Sequence, residues 1–209
     1  MSLATPGAEP PLAAGNIYPK YDTRNPIARR LVAGYLVAFH ELVDMSGTDE
    51  VLEVGCGEGF LSTALATKGY RVRGVDVSPA IIKAARANAA AAGLDVRFEV
   101  ASVCDMDPDA DLAGLVVCCE VLEHLEEPQR AFEILAKVAN PYLLVSVPRE
   151  PLWRILNVMR GRYLTDLGNT PGHLQHWSQR QFLSTLERFV EVVAVRAPVP
   201  WTMALCRAR

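Results

Sequence analysis

The sequence predicts an α/β fold: a doubly wound, mostly parallel, seven-stranded sheet with an antiparallel C-terminal strand pair. Three observations predict it. Short strand-like runs alternate with segments of helical periodicity from residue 26 to residue 188, and this alternation implies crossover units that cover both faces of a parallel sheet. Two further strand-like runs, joined at a proline turn, close the chain without an intervening helix. The length of 209 residues suits one such domain.

The elements can be placed in order along the chain. Residues 26–43 have apolar residues at helical spacing, and a buried strand at 51–54 ends at Gly55. Pro79 begins an alanine-rich helix with Ser78 as its N-cap and Gly93 as its stop. The other predicted elements before the closing strand pair are helices at 59–68, 128–139, 151–160 and 178–188, and strands at 71–77, 96–102, 115–119 and 142–147.

Composition restricts the class of function. A net charge of −3 argues against a duplex nucleic-acid binder, which usually carries a basic face. No apolar run reaches the roughly 18 residues of a membrane span. Five cysteines without a CxxC spacing favour a reducing, cytoplasmic location over a disulfide framework or a zinc ribbon. Residues 1–16 are predicted to be a disordered tail, and residues 17–209 a single domain; the pattern carries no signal for an oligomeric state.

A glycine loop follows the first strand in VLEVGCGEGF. Gly55, Gly57 and Gly59 let the backbone turn sharply and approach a ligand closely. Their G-x-G-x-G spacing differs from the G-x-G-x-x-G that admits a pyrophosphate. Glu53, at the end of the strand, disfavours a phosphate and suits a ligand with an amino group. The alternative is a tight strand-to-helix turn that binds nothing.

An acidic residue also ends the second strand. At this position the carboxylate of Asp76 can accept hydrogen bonds from both hydroxyls of a ribose, and Val77 beside it can pack on an adenine. Nicotinamide enzymes use an acid in the same place, so Asp76 indicates a nucleoside without specifying it. A simple helix cap is the alternative.

These segments together resemble a known family. VLEVGCGEGF, VDVS and CCEVLEHL are similar to the class I S-adenosylmethionine (SAM)-dependent methyltransferases, which have a Rossmann-like fold, and the resemblance covers about residues 20–206. It implies that Glu53 and the three glycines hold the aminoacyl end of SAM and that Asp76 holds the ribose. It also implies that Tyr21 lies over the cofactor.

One part of the family pattern is different here. The family usually has an aspartate facing the adenine amine after the third strand, where this chain has Ser102 and Val103, with Asp105 slightly later. Ser102 and the backbone amide of Val103 occupy this place and are the candidates for the adenine contact.

An acid–histidine cluster follows the fourth strand. Glu120, Glu123 and His124 stand at i, i+3 and i+4, so a helical turn would project all three to one side. His173 and His176 lie in a predicted lid insertion at about 149–177. Two glutamates and two imidazoles would suit a divalent cation, Mg²⁺ or Mn²⁺, which could lower the pKa of an acceptor hydroxyl.

Two methyltransferase groups resemble this cluster. The O-methyltransferases of ubiquinone biosynthesis show a similar E-x-x-E-H with a later histidine, as do the 2′-O-methyltransferases of small-RNA 3′ ends. In the latter, that histidine stands four residues before a tryptophan, as His173 does before Trp177, so His173 is favoured over His176 as fourth ligand. In metal-free relatives, by contrast, the acid at Glu120 touches the methionine part of SAM, and His124 or a lid histidine acts as general base.

The lid carries an amphipathic segment. Leu152, Ile155, Leu156 and Met159 follow helical spacing, and Arg149, Arg154, Arg160 and Arg162 surround them. Three interpretations stay open: an arginine grip on an anionic acceptor, a helix resting on a membrane surface, and an ordinary lid with solvated arginines.

The predicted function is transfer of a methyl group from SAM to a small-molecule acceptor, at a hydroxyl oxygen. Glu123, His124 and His173 are the candidate catalytic residues. The alternatives are an RNA 2′-O-methyltransferase, a nicotinamide-dependent oxidoreductase and a non-catalytic SAM-binding subunit.

Overall fold

A seven-stranded sheet forms the centre of the fold. The computed structural model describes residues 25–209. Its strands are β1 (Glu50–Val54), β2 (Arg71–Asp76), β3 (Arg97–Val100), β4 (Ala113–Cys119), β5 (Ala139–Pro148), β6 (Glu191–Arg196) and β7 (Trp201–Arg207). Their order is β3-β2-β1-β4-β5-β7-β6. The first five strands pair in parallel, and β7 runs antiparallel to both β5 and β6. The predicted fold class is confirmed.

Within the described residues, six α-helices surround the sheet. They are α1 (Pro26–Ser46), α2 (Phe60–Thr67), α3 (Pro79–Ala91), α4 (Pro128–Val138), α5 (Leu152–Met159) and α6 (Gln179–Leu186). The side chain of Ser78 accepts a hydrogen bond from the amide of Ile81, so the predicted N-cap of α3 is confirmed. Among residues 25–209, no helix combines the length and apolar character needed to cross a bilayer.

Some element boundaries differ from the prediction. The strand predicted at 96–102 ends at Val100, because Ser102 caps a short 3₁₀ helix, Val103–Asp105, by accepting from the amide of Cys104. The turn after β4 is also a 3₁₀ helix, and it begins at Leu122 instead of Glu120. This later start changes the direction in which Glu120 points.

Separate apolar layers cover the two faces of the sheet. One contains Phe132 of α4 and Phe182 of α6; the other contains Phe39 of α1 and Leu65 of α2. Neighbouring residues of β1 and β4 alternate between these layers, as expected for strands buried on both faces. Because β1 to β5 are parallel, their carboxyl ends meet at one rim. The candidate site lies at this rim.

Candidate active site

The glycine loop at the end of β1 requires glycine on steric grounds. Gly55, Gly57 and Gly59 all have positive φ, at +74°, +54° and +78°. A Cβ added to Gly55 would overlap the Cγ2 methyl of Val121, and one on Gly59 would lie 2.8 Å from Cζ of Phe98. The loop thus packs directly against the segment that follows β4. Neither a left-handed backbone nor this close approach suits a residue with a side chain.

Asp76 supports the loop from the neighbouring strand. Its Oδ2 accepts from the amide of Gly57 at 3.1 Å, and its Oδ1 accepts from the amide of Ser78 at 3.0 Å. Each carboxylate oxygen has a second lone pair that can accept from a ligand, and the half-buried side chain is partly open to one. Val77 is 51% exposed beside it. Ser78, not Asp76, is the N-cap of α3.

Two other predicted cofactor residues, Glu53 and Val103, are buried. Glu53 is only 3% exposed, and its carboxylate accepts a hydrogen bond from the hydroxyl of Ser62 in α2. The side chain of Val103 belongs to the core, so its backbone amide is the group available to an adenine. Ser102 accepts from the amide of Cys104 at 3.2 Å. Tyr21 lies outside the described residues.

Glu120 is held towards β5 and β7. Its φ is +60°, a left-handed conformation that is uncommon for a residue other than glycine. Its Oε2 accepts from Nε1 of Trp201 at 2.6 Å, and its Oε1 accepts from the hydroxyl of Ser146 at 3.2 Å. The expectation that Glu120, Glu123 and His124 share one face was wrong for Glu120, because the helical turn begins two residues after it.

Three of the four predicted metal ligands do come together. One potential ligand atom from each of Glu123, His124 and His173 lies within 4.8 Å of the others, and Glu120 is not part of this group. Glu123 is 1% exposed and His173 is 8% exposed. The amides of Leu174 and Gln175 both donate to the carbonyl of Glu123, at 2.8 and 3.0 Å. These bonds fix the lid histidine against the segment after β4.

The rings of the two histidines are oriented by their neighbours. Nδ1 of His124 donates to the carbonyl of Gly172 at 2.9 Å, so the lone pair of a neutral ring lies on Nε2. The ring of His173 meets that of His124 edge-on, with centroids 4.9 Å apart, and stacks on Trp153 at 5.8 Å.

The environment of His173 keeps it neutral. Burial, with His124 and His176 nearby, lowers the pKa of His173 to about 3. His176 lies outside the group, and its Nε2 donates to Oδ1 of Asn169 at 2.7 Å. Of the two lid histidines, the structure brings the favoured one, His173, into the group.

Several lid arginines are engaged within the chain. Nε of Arg154 donates to the carbonyl of Leu167, and Arg149 donates to the side chain of Gln179. The side chain of Arg160 donates to the carbonyl of Leu156 and to Oδ1 of Asn157. These bonds support the interpretation of an ordinary lid.

Sequence reasoning missed the residues that hold Glu120. Trp201, Ser146 and Tyr35 come from β7, β5 and α1. No local motif marks them, because Trp201 is 81 residues away from Glu120 along the chain.

The sheet order, the glycine loop after β1 and the acid after β2 define a class I SAM-dependent methyltransferase fold. Residues 51–142 match a family model described as "Methyltransferase domain". The match assigns this stretch, from β1 to the start of β5, to the same kind of fold.

Curated relatives agree with this assignment. The chain is 37% identical over 91 residues to a ubiquinone biosynthesis O-methyltransferase of Coxiella burnetii, covering 44% of this chain and 39% of the relative. It is 36% identical over 123 residues to the enzyme with the same name from Xanthomonas axonopodis, covering 56% of this chain and 51% of that one. The matches thus span about two fifths to one half of these relatives' lengths.

Solved structures agree on the fold. The magnesium protoporphyrin IX methyltransferase of Synechocystis, with bound S-adenosylhomocysteine, has a TM-score of 0.67 at 20% identity and covers 90% of this chain and 89% of its own. An N-methyltransferase of Bradyrhizobium japonicum has a TM-score of 0.61 at 20% identity, covering 88% of this chain and 98% of its own. At these identities the likeness concerns the fold.

Proposed function

We propose that this chain transfers a methyl group from SAM to a hydroxyl oxygen of a small-molecule acceptor, at a site where Glu123, His124 and His173 hold a divalent cation. The observation that carries this proposal is that one potential ligand atom from each of these three side chains lies within 4.8 Å of the others. Glu123 and His124 belong to the segment whose Val121 packs against Gly55 of the glycine loop. The relatives named as ubiquinone biosynthesis O-methyltransferases support oxygen as the methyl acceptor.

The proposed binding of SAM rests on the glycine loop and on Asp76. The amides of Gly55 and Cys56 are both tied to the carbonyl of Val75, which fixes the loop between β1 and β2. Asp76, placed by the amides of Gly57 and Ser78, retains acceptor capacity for the ribose hydroxyls of SAM. We assign the aminoacyl end of SAM to the loop and to Glu120.

The residues of the cluster fit a cation. A carboxylate and two imidazoles are a mixed oxygen and nitrogen donor set, which favours Mn²⁺ over Mg²⁺ because Mg²⁺ prefers oxygen ligands. The bond from His124 to the carbonyl of Gly172 is the kind of outer contact that orients a metal-binding imidazole. When bound, the cation would lower the pKa of an acceptor hydroxyl.

The other role of the chain is to position the acceptor relative to SAM. SAM is already an activated methyl donor, so holding the acceptor oxygen in line with the methyl group supplies most of what the reaction needs. Leu174 and Gln175 bind the lid to the carbonyl of Glu123, which keeps the buried carboxylate beneath the lid.

A metal-free mechanism with a histidine base is the second candidate. His173 suits it poorly, because a group with a pKa of about 3 is a weak proton acceptor near neutral pH. The partly exposed His124 is the better base in that mechanism.

The test of the proposed function combines binding and turnover. We expect calorimetry to detect SAM binding and electron paramagnetic resonance to detect one bound Mn²⁺ per chain. With an ortho-diphenol as probe acceptor, whose adjacent hydroxyls can chelate a cation, we expect methylation that stops on treatment with EDTA and returns with Mn²⁺. Methylation that persists in EDTA would overturn the role of the cation, and the lack of SAM binding would overturn the whole proposal.

Asp76→Ala should weaken SAM binding by about 1–3 kcal/mol, because it removes charged hydrogen bonds to the ribose and the support of Gly57. Calorimetric titration measures the loss. Asp95→Ala is a matched control, since Asp95 is exposed and precedes β3 at the opposite rim of the sheet. Equal affinities for the two variants would contradict the ribose assignment.

A further inference from the structure

Two buried polar groups donate to the carboxylate of Glu120, and a third lies next to one of them. Trp201 Nε1 and the hydroxyl of Ser146 donate to its two oxygens, and the hydroxyl of Tyr35 lies 3.0 Å from that of Ser146. Trp201 is 4% exposed, and Ser146 and Tyr35 are fully buried. The three residues come from three separate elements, so the arrangement depends on the complete sheet.

Packing alone does not require these polar atoms. Tyr35 and Trp201 belong to an otherwise apolar layer with Phe39 and Leu205, where phenylalanine could fill much of the same volume. A buried donor costs free energy unless it is hydrogen-bonded. Here that requirement is met by bonds that lead to one partly exposed carboxylate. The polar atoms therefore serve the position of Glu120.

The backbone conformation of Glu120 also indicates that its position is fixed for a function. A positive φ in a residue with a side chain is retained when the surroundings fix it, and such residues concentrate at functional sites. Val121, the next residue, occupies the space where a Cβ on Gly55 would lie. Glu120 is thereby placed beside the loop to which we assign the aminoacyl end of SAM.

Trp201 also contacts the lid. Its ring meets that of Trp153 edge-on, with centroids 5.7 Å apart, and Trp153 stacks on His173. Nε1 of Trp153 donates to the hydroxyl of Thr170 at 2.9 Å, which holds that ring in the lid. Trp201 thus contacts both Glu120, which we assign to SAM, and Trp153, the ring that stacks on His173.

We propose that Trp201 is a positioning residue that sets the SAM affinity of the site by fixing the carboxylate of Glu120 through its indole N–H. This inference rests on the proposed function, because it takes Glu120 as a contact of SAM. Ser146 is the second donor in the same arrangement and has a smaller effect, since its bond is longer.

A double-mutant cycle on the full chain tests this role, with SAM affinity measured by calorimetry. Trp201→Phe keeps an aromatic ring and removes the N–H, and we expect SAM to bind about tenfold more weakly. In a Glu120→Ala background the same substitution should change the affinity less than about twofold, because the group through which it acts is gone. Trp177→Phe is the matched control, since Trp177 packs against the opposite apolar layer, and it should bind SAM as the wild type does.

The outcomes separate this role from a merely structural one. Wild-type affinity in folded Trp201→Phe, or the same tenfold loss with and without Glu120, overturns the inference while leaving the proposed function intact. If Trp201→Phe does not fold, Ser146→Ala takes its place in the cycle, with an expected loss of about threefold that must likewise vanish in the Glu120→Ala background. A wild-type chain that fails to bind SAM overturns both proposals.

Discussion

Gly55→Ala should reduce SAM affinity by at least about 100-fold, the largest loss that we expect from a single methyl group. The substitution places a side chain on a backbone with φ of +74°, where its Cβ overlaps the Cγ2 methyl of Val121. Left-handed strain costs about 1–2 kcal/mol, and overpacking about 1–3 kcal/mol more. Relief of the overlap requires the loop or the segment after β4 to move, and both belong to the proposed cofactor site. Calorimetry measures the affinity, and urea denaturation measures the accompanying loss of stability.

The control for this prediction separates strain from overlap. Gly93 also has a positive φ, at +69°, but a Cβ added there would meet nothing within 4 Å. Gly93→Ala should therefore cost about 1–2 kcal/mol of stability and bind SAM like the wild type. If Gly55→Ala bound SAM as well as Gly93→Ala does, the loop would not be the cofactor cradle.

The features that could be predicted from the sequence are those encoded locally. The strand-to-helix alternation sufficed for the sheet, and the proline turn before β7 sufficed for the antiparallel pair, because each depends on neighbouring residues. Ser78 was predicted as a cap since a serine before a proline has a local mechanism. The glycine loop follows the same logic, because residues directly after a buried strand must turn.

The features that could not be predicted depend on distant contacts. The orientation of Glu120 is set by Trp201 and Ser146, and these meet it only because β7 pairs with β5 in a particular register, with Ser146 opposite Met203. The spacing of Glu120, Glu123 and His124 predicted that all three belong to one helical turn, whereas the turn begins at Leu122. Spacing alone cannot supply the start of a turn to within two residues.

The choice between the two lid histidines shows the same limit. His173 and His176 are three residues apart, and composition does not separate them. Hydrogen bonds from Leu174 and Gln175 to the carbonyl of Glu123 decide which ring lies beside His124. The resemblance to methyltransferases with a histidine four residues before a tryptophan pointed to His173, which the structure does bring into the group.

Glu123→Gln should lower Mn²⁺ affinity on the order of 100-fold while leaving SAM affinity within about twofold of the wild type. The substitution replaces an anionic oxygen donor by a neutral amide of almost the same shape, and even residues that only support a metal ligand change affinity by about 10–100-fold. Glu123 is 1% exposed, so water cannot reach the site to replace the lost carboxylate ligand. Titration with Mn²⁺, followed by electron paramagnetic resonance, measures the affinity without requiring an acceptor.

Glu126→Gln is the matched control, because the same chemical change is made three residues later on an exposed side chain. It should bind Mn²⁺ like the wild type, and so should His176→Ala, whose ring lies outside the group. Unchanged Mn²⁺ affinity in folded Glu123→Gln would contradict the cation site and leave His124 as the candidate base. A loss of Mn²⁺ with SAM binding retained would assign the cluster to the acceptor side of the site, since the glycine loop and Asp76 would then hold the cofactor independently of it.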